Sequence, residues 1–306
     1  MVTIGIIGSG VVGTATGKGF DKLGHNVIFY DISKQRLLSL KEEGYVVASS
    51  IKEVISNADI TFVCVNTPTD GANGQQDLSQ LNSVLFSIVN ALNEGSIGRK
   101  KKERNNYAPL VVFRSTILPG TMRNVVIDYL DTKVSREKRG KDYNVCYNPE
   151  FLRQDTALSD FFKPDRVIIG EDREGSSSAL KLLYQGLTDN IIITSYEAAE
   201  MIKYASNCFL SLKISFFNEI GMICKQMGID DNIVSLGVAA DKRIGKYGTK
   251  AGRPFDGACL PKDTIALASF AKRLQIKPDL LQIVLDINKK VEEMAQLQQQ
   301  VYERIQ

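Results

Sequence analysis

An α/β fold with a parallel sheet, followed by an all-helical second domain, is what the 306-residue sequence predicts. Three features carry that expectation. Up to about Thr194, short Val/Ile-rich runs alternate with amphipathic stretches, the pattern of a parallel sheet covered by helices. A glycine-rich turn follows the first of these runs directly. From Ser195 to about Met227, apolar residues recur at helical spacing with no internal proline. The expected domains are therefore 1–194 and 195–306, joined without a disordered linker.

The strands expected, in order, are Thr3 to Ile7, Asn26 to Tyr30, Ile60 to Val65, Leu110 to Phe113, Asn144 to Tyr147, Arg166 to Ile169 and Ile191 to Ile193. After the long helix, further helices are expected near Asp230 to Ala240, Lys262 to Leu274 and Asp279 to Gln306. Two segments read as loops. Ser96 to Ala108 carries Arg99-Lys100-Lys101-Lys102 and reads as a solvated surface loop rather than a nucleic-acid contact. Asp241 to Pro261 is rich in glycine and basic residues and contains a cysteine, which marks it for function.

Composition narrows the chemistry. With 24% charged residues and a net charge of +3, the chain is an ordinary soluble one, expected to bind neither nucleic acid nor membrane. No apolar run approaches the roughly 18 residues of a membrane span, and Met1 leads straight into the first strand, so a cytoplasmic protein without a leader is expected. Cys64, Cys146, Cys208, Cys224 and Cys259 show no CxxC spacing, which argues against zinc sites and a disulfide framework; no metal is expected. The single histidine, His25, lies in the turn Leu23-Gly24-His25-Asn26, so chemistry built on a histidine base is disfavoured.

The glycine-rich turn reads Gly8-Ser9-Gly10-Val11-Val12-Gly13. It follows a strand, opens a helix and lies in a βαβ pattern, the context that makes GxGxxG informative and the sheet Rossmann-type. Gly8 permits the tight turn, Gly10 lets the backbone approach a pyrophosphate, and Gly13 permits close helix–strand packing. The N–H groups of the helix start at Val11 and Val12 then face the phosphates. Asp31 ends the second strand 18 residues past Gly13, where an acid accepts hydrogen bonds from ribose hydroxyls and repels a 2′-phosphate. That favours NAD over NADP, with Arg36 assigned to the same edge; the alternative is that Asp31 caps the helix starting near Ser33. Val65, Thr67 and Pro68 in Val65-Asn66-Thr67-Pro68-Thr69 at one strand end, and Arg114-Ser115-Thr116 at another, lie on the rim where open α/β sheets bind ligands.

Two further clusters are candidates for catalysis. Phe255-Asp256-Gly257-Ala258-Cys259-Leu260-Pro261-Lys262-Asp263 puts a cysteine at a probable helix start, where a thiolate can be stabilised and act as a nucleophile. Lys203 and Asn207, four residues apart on one helix, offer a cation and an amide to a single oxygen. From the residues alone, an inert buried thiol and a solvated Lys/Asn face remain open.

These segments together resemble the UDP-glucose/GDP-mannose dehydrogenase family. The resemblance runs over nearly the whole chain: Gly8 to Gly13, Val65 to Thr69, Ser115-Thr116, Asn148 to Leu152, Pro164-Asp165-Arg166, Lys203 with Asn207, Asn218-Glu219, Asp241 to Gly245, and Cys259 with Pro261-Lys262-Asp263. It implies an NAD-dependent, four-electron oxidation of a nucleotide sugar's 6-hydroxymethyl group to a carboxylate, a UDP-sugar being favoured. By position it implies that Cys259 forms a thiohemiacetal and then a thioester, which keeps a reactive aldehyde from escaping between oxidations. Lys203 and Asn207 stabilise the oxygen, Lys203 also moves a proton, Asp263 tunes the lysine and the attacking water, and Thr116 and Glu150 position that water. Glu150, Phe151, Leu152, Arg243, Lys250, Phe255 and Gly257 face the substrate, together with Lys203 and Asn207. A homodimer through the long helix is the family's habit.

The pattern breaks in three places. Arg153-Gln154-Asp155 follows Leu152 where the family has a glutamate and a glycine, and Asp256 stands where a glycine is common. The family pattern also continues, beyond the last residue here, into an α/β domain that holds the nucleotide; either this chain is a piece of a longer protein, in which case little turnover is expected of it alone, or another chain supplies that domain, or the protein works without it. Two other readings are an NAD-binding, dimerising module without turnover, and a two-electron dehydrogenase of the hydroxyacid type, which has no need of Cys259.

Overall fold

The computed structural model describes residues 1–94 and 108–305; the basic run expected as a loop, Arg99 to Lys102, lies outside the described residues. The chain forms two compact units: Met1–Thr67 with Asp77–Lys203, and Pro68–Gln76 with Tyr204–Gln306.

The first unit is built on an eight-stranded sheet: β1 (Thr3–Ile7), β2 (Asn26–Tyr30), β3 (Val46–Val47), β4 (Ile60–Val63), β5 (Leu110–Phe113), β6 (Asn144–Tyr147), β7 (Val167–Gly170) and β8 (Ile191–Thr194), in the order β3-β2-β1-β4-β5-β6-β7-β8. Its helices are α1 (Val11–Lys22), α2 (Lys34–Glu42), α3 (Ile51–Asn57), α4 (Ser79–Asn93), α5 (Asp128–Leu130, between π-helical Met122–Ile127 and Asp131–Ser135), α6 (Ala157–Phe162), α7 (Ser178–Tyr184) and the start of α8 (Tyr196–Met227). Alternation along each strand divides the core in two. Ile4, Ile6, Ile60, Phe62, Leu110, Val112 and Cys146 join one buried cluster, while Ile7, Val63, Val111, Phe113, Val145 and Tyr147 join the other. A period of two sends successive side chains to opposite faces, and helices cover both, so these strands read as continuous apolar runs. Each such Ile or Phe stabilises the fold by roughly 1.5–3 kcal/mol.

The α/β class expected from the sequence is the one observed, with three differences. The sheet is not wholly parallel: β6 and β7 pair antiparallel through Tyr147 and Gly170, and β8 then runs parallel to β7. Two-residue β3, pairing with Ile28 and Phe29 of β2, is too short to leave an alternation. The last of the expected loops ends earlier, because Leu260 and Pro261 already belong to a helix; Pro is tolerated there because first-turn N–H groups have no intrahelical acceptor.

The second unit is helical. It holds the remainder of α8, then α9 (Asp231–Ala239), α10 (Leu260–Arg273), α11 (Asp279–Ile305) and the turn Pro68–Gln76. The buried seam of α8 here is Tyr204, Cys208, Ser211, Ser215 and Asn218, spaced alternately by four and three. Much of it is polar, and its hydroxyls are matched: Thr264 Oγ1 donates to Ser211 Oγ (2.9 Å) and Ser215 Oγ to the Val284 carbonyl (3.0 Å). Pairing is what makes this burial tolerable, since a buried hydroxyl without a partner costs about 1–3 kcal/mol. Among the described residues no helix is long and apolar enough to cross a membrane.

Candidate active site

In the first unit, the turn after β1 has the properties expected of a dinucleotide cradle. Gly8 sits at φ +92°, where a side chain is strained, and a Cβ there would lie 2.8 Å from the Cys64 carbonyl. A Cβ on Gly13 would meet the Gly8 carbonyl at 1.9 Å, so this glycine is required by the protein's own backbone. Gly10 differs: a Cβ there would meet no protein atom within 4 Å. Packing within the unit gives Gly10 no reason to be glycine, whereas close approach of a pyrophosphate does. It is also the N-cap of α1. The Thr14 N–H makes the helix's first bond, to the Gly10 carbonyl (2.9 Å), and the N–H groups of Val11, Val12 and Gly13 precede it. The residues present therefore fit a dinucleotide.

Asp31 is buried at the end of β2. Its Oδ2 accepts the Ser9 N–H (2.6 Å) and its Oδ1 the Ser33 N–H (2.8 Å), while Arg36 Nη1 stands 3.5 Å from Oδ2. The carboxylate thus ties the glycine turn to the second strand. The cap of α2 is Ser33, whose Oγ accepts the Arg36 N–H, so the capping alternative for Asp31 is set aside. On the rim, Ser115 Oγ donates to the Val65 carbonyl (2.6 Å) and Thr67 Oγ1 to the Thr116 carbonyl, which joins the ends of β4 and β5. Pro68 is exposed and starts the turn of the second unit.

Lys203 and Glu150 form a buried ion pair in the same unit. Lys203 Nζ donates to Oε1 of Glu150 (2.9 Å) and to its backbone carbonyl (2.7 Å), and Glu150 Oε2 accepts the Leu152 N–H (2.7 Å). Burial by itself raises the Glu150 carboxyl, but the Lys203 charge and these hydrogen bonds outweigh it and hold it below the usual carboxylate range. Phe151 packs under two cations, with the Arg166 guanidinium 4.1 Å and Lys203 Nζ 5.4 Å from its ring centre. Leu152 is half-buried, and Gln154 is exposed in a single 3₁₀ turn.

In the second unit, Asn207 Nδ2 donates to Oδ2 of Asp263 (2.6 Å), and Lys262 Nζ donates to Oδ1. Asp263 is fully buried in the first turn of α10, and its N–H donates to the Cys259 carbonyl (3.0 Å). Cys259 is the N-cap of that helix, exposed and in no disulfide, whereas Cys146, Cys208 and Cys224 are buried. Gly257 needs its φ of +77°. Arg243 and Lys250 are exposed, and Arg243 is held by Asp241 within its own loop (2.6 Å). Phe255, expected to face substrate, has its side chain buried; its N–H and carbonyl bond the side chain of Asn288 (2.7 and 3.1 Å).

Arg114 lies in the Arg114-Ser115-Thr116 rim segment that the sequence marks, but its partner Tyr184 carries no sequence signal of its own. Arg114 and Tyr184, from β5's end and α7, meet at Asn148. His25, by contrast, accepts the Val2 N–H at 3.4 Å and packs edge-on against Phe20, a structural role.

Residues 42–188 match the NAD binding domain of the UDP-glucose/GDP-mannose dehydrogenase family, and residues 197–290 match its central domain. The chain is 36% identical to UDP-glucose 6-dehydrogenase of Rickettsia bellii over 94% of its own length and 67% of that protein's. It is 34% identical to GDP-mannose 6-dehydrogenase of Pseudomonas aeruginosa, over 91% of its own length and 66% of that protein's. Among solved structures, a UDP-glucose dehydrogenase from Pyrobaculum islandicum superposes with a TM-score of 0.83 at 33% identity, covering 95% of this chain and 68% of the other.

Proposed function

The chain belongs to the UDP-glucose/GDP-mannose dehydrogenase family, and from that premise we propose that it oxidises the 6-hydroxymethyl group of a nucleotide sugar to a carboxylate through a covalent intermediate on Cys259. NAD is the cofactor; the Gly8–Gly13 turn, Asp31 and the Val65–Pro68 and Ser115–Thr116 rims would hold it, and when bound it would supply the hydride acceptor, used twice over a four-electron oxidation.

The residues supply the remaining chemistry. Lys203 spends two N–H bonds on Glu150, and its third is given to the sugar oxygen; as the first hydride leaves, the hydroxyl proton passes to solvent water and an aldehyde forms. Cys259 Sγ then adds to the aldehyde carbon: a C–S bond forms, and the thiol proton balances the new hydroxyl. Loss of a second hydride and the hydroxyl proton leaves a thioester. Water attacks its carbonyl, the C–S bond breaks, and the carboxylate departs with the thiol restored. Asn207, oriented by Asp263, gives its second N–H to the developing oxyanion, and Glu150 and Thr116 position the water.

The observation that carries this reading is Cys259 itself, an exposed thiol at the N-terminus of a 14-residue helix whose first turn is locked by Asp263. A symmetric dimer goes with it. Phe209, Phe216 and Ile223, each seven residues on along α8, are 62%, 51% and 51% exposed, an apolar stripe of the kind that helices bury against a second copy. The chain spans about two thirds of its relatives' length, so a UDP-sugar as substrate and turnover by this chain alone belong to the same proposal.

Incubation with NAD+ and a panel of UDP- and GDP-sugars tests it. Two NADH per sugar acid is expected. One NADH with a released aldehyde or ketone overturns the reading, and NAD binding with no NADH from any sugar leaves a binding and dimerising module.

A further inference from the structure

Beneath the rim of the first unit lies a buried cation that the proposed chemistry does not use. Arg114 is 5% exposed, and among the described residues no carboxylate lies within ion-pair distance of it. Burying a guanidinium without a carboxylate costs several kcal/mol unless hydrogen bonds offset it, and apolar side chains fill such space more cheaply. Its Nη1 donates to the Asn148 carbonyl (3.3 Å), to Asn148 Oδ1 and to Tyr184 Oη (3.1 Å). Tyr184 Oη donates in turn to Asn148 Oδ1 (2.9 Å). Asn148 is fixed from every side, since its Nδ2 donates to the Ile168 carbonyl (2.8 Å) and its N–H to the Phe113 carbonyl (2.8 Å).

Two residues further on is Glu150, which holds Lys203 through both its carboxylate and its carbonyl. Pro149 stands between them, with φ set by its ring. We propose that Arg114, locked by Tyr184, is a positioning residue: by fixing Asn148 it sets the Asn148–Leu152 turn, and through Glu150 it places the Lys203 ammonium. The Arg114 charge also helps to offset the burial of Glu150, so the carboxylate that anchors Lys203 stays ionised. This inference rests on the reading that Lys203 acts on the substrate.

The test uses Arg114→Gln, Arg114→Lys and Tyr184→Phe in the full chain, with two readouts. One is the rate at which acetic anhydride acetylates Lys203, measured by mass spectrometry against the exposed lysines and needing no turnover. The other is kcat and KM on whichever nucleotide sugar the wild-type chain oxidises. Release of the turn is expected to speed acetylation of Lys203 about fivefold or more in Arg114→Gln and Tyr184→Phe. It should also lower kcat about tenfold with a smaller change in KM, and Arg114→Lys should fall between. A wild-type chain that oxidises no nucleotide sugar defeats the functional reading alone, because acetylation still reports on the position of Lys203. Acetylation within about twofold of wild type in a folded Arg114→Gln or Tyr184→Phe chain overturns the inference. So does failure of all three variants to fold, which makes Arg114 a residue of the fold.

Discussion

Asn207 and Asp263, 56 residues apart in sequence, meet inside the helical unit with an amide nitrogen 2.6 Å from a carboxylate oxygen, both side chains buried. Asn207→Asp would place two carboxyls at that separation, and one of them must keep a proton at neutral pH. A carboxyl raised in the fold loses stability as pH rises, so the variant is expected to be close to wild type at pH 5 and less stable by about 3 kcal/mol or more at pH 8. Urea denaturation at the two pH values checks this; equal losses at both would show that the two groups do not share a proton.

Glu200 carries the same sign in the wild-type protein. Its carboxylate, fully buried on α8, accepts the N–H groups of Gly120 (2.6 Å) and Met122 (2.7 Å). Burial nevertheless pushes the group up to about 7, against the opposing pull of those two bonds. Below the ordinary carboxylate range this group imposes no penalty; between there and about pH 7 the fold loses on the order of 3 kcal/mol, because the carboxyl ionises in the unfolded chain while it stays protonated in the fold. In Glu200→Gln that part of the pH dependence is expected to vanish, which stability measurements from pH 4.5 to 8 can read.

Within the glycine turn, a Cβ would meet open space at Gly10 and the protein's own backbone at Gly13. Gly10→Ala meets no protein atom within 4 Å, so the melting temperature is expected to hold, with a cost of only a few tenths of a kcal/mol at the N-cap. NAD affinity should fall by roughly tenfold or more, since about 1.4 kcal/mol lost at the pyrophosphate is a factor of ten. Gly13→Ala drives a methyl to within 1.9 Å of a carbonyl and should unfold the unit. Calorimetric titration with NAD+ and thermal melts, run side by side, distinguish the two.

Cys259→Ser should stop uronate formation, with a loss of about a thousandfold or more in full turnover, because a hydroxyl without a base is a weak nucleophile. Its NAD affinity should equal that of wild type. A variant that forms acid at the parental rate would refute the covalent route.

A charge set into the exposed stripe of α8 should split a dimer. If the proposed dimer forms through this stripe, wild type should scatter light as a dimer and Phe216→Glu as a monomer at the same concentration, at little cost to the fold, since Phe216 is half exposed in the single chain. Unchanged mass in the variant would place the interface elsewhere.

Much of the fold was legible because it is written locally. β1, β2, β5 and β6 have the bounds their Val/Ile runs suggest, and Gly8 to Gly13 announces its own turn. The antiparallel step from β6 to β7 leaves no such trace. A four-residue strand buried on both faces has the same composition in either direction, so only its neighbours' hydrogen bonds set which way it runs.

For the site, residue types and spacing picked out the Gly8–Gly13 turn, Asp31, Lys203 with Asn207, and Cys259 at a helix start. The tertiary structure alone decided their partners. Asp31 takes the Ser9 N–H and Lys203 is held by Glu150, 53 residues away, while the Phe255 ring turns inward and Arg114 is enclosed by Asn148 and Tyr184. Periodicity fixes which face of a strand or helix a side chain takes; the polar atoms it meets there come from segments distant in the chain, and desolvation makes most buried donors and acceptors find one.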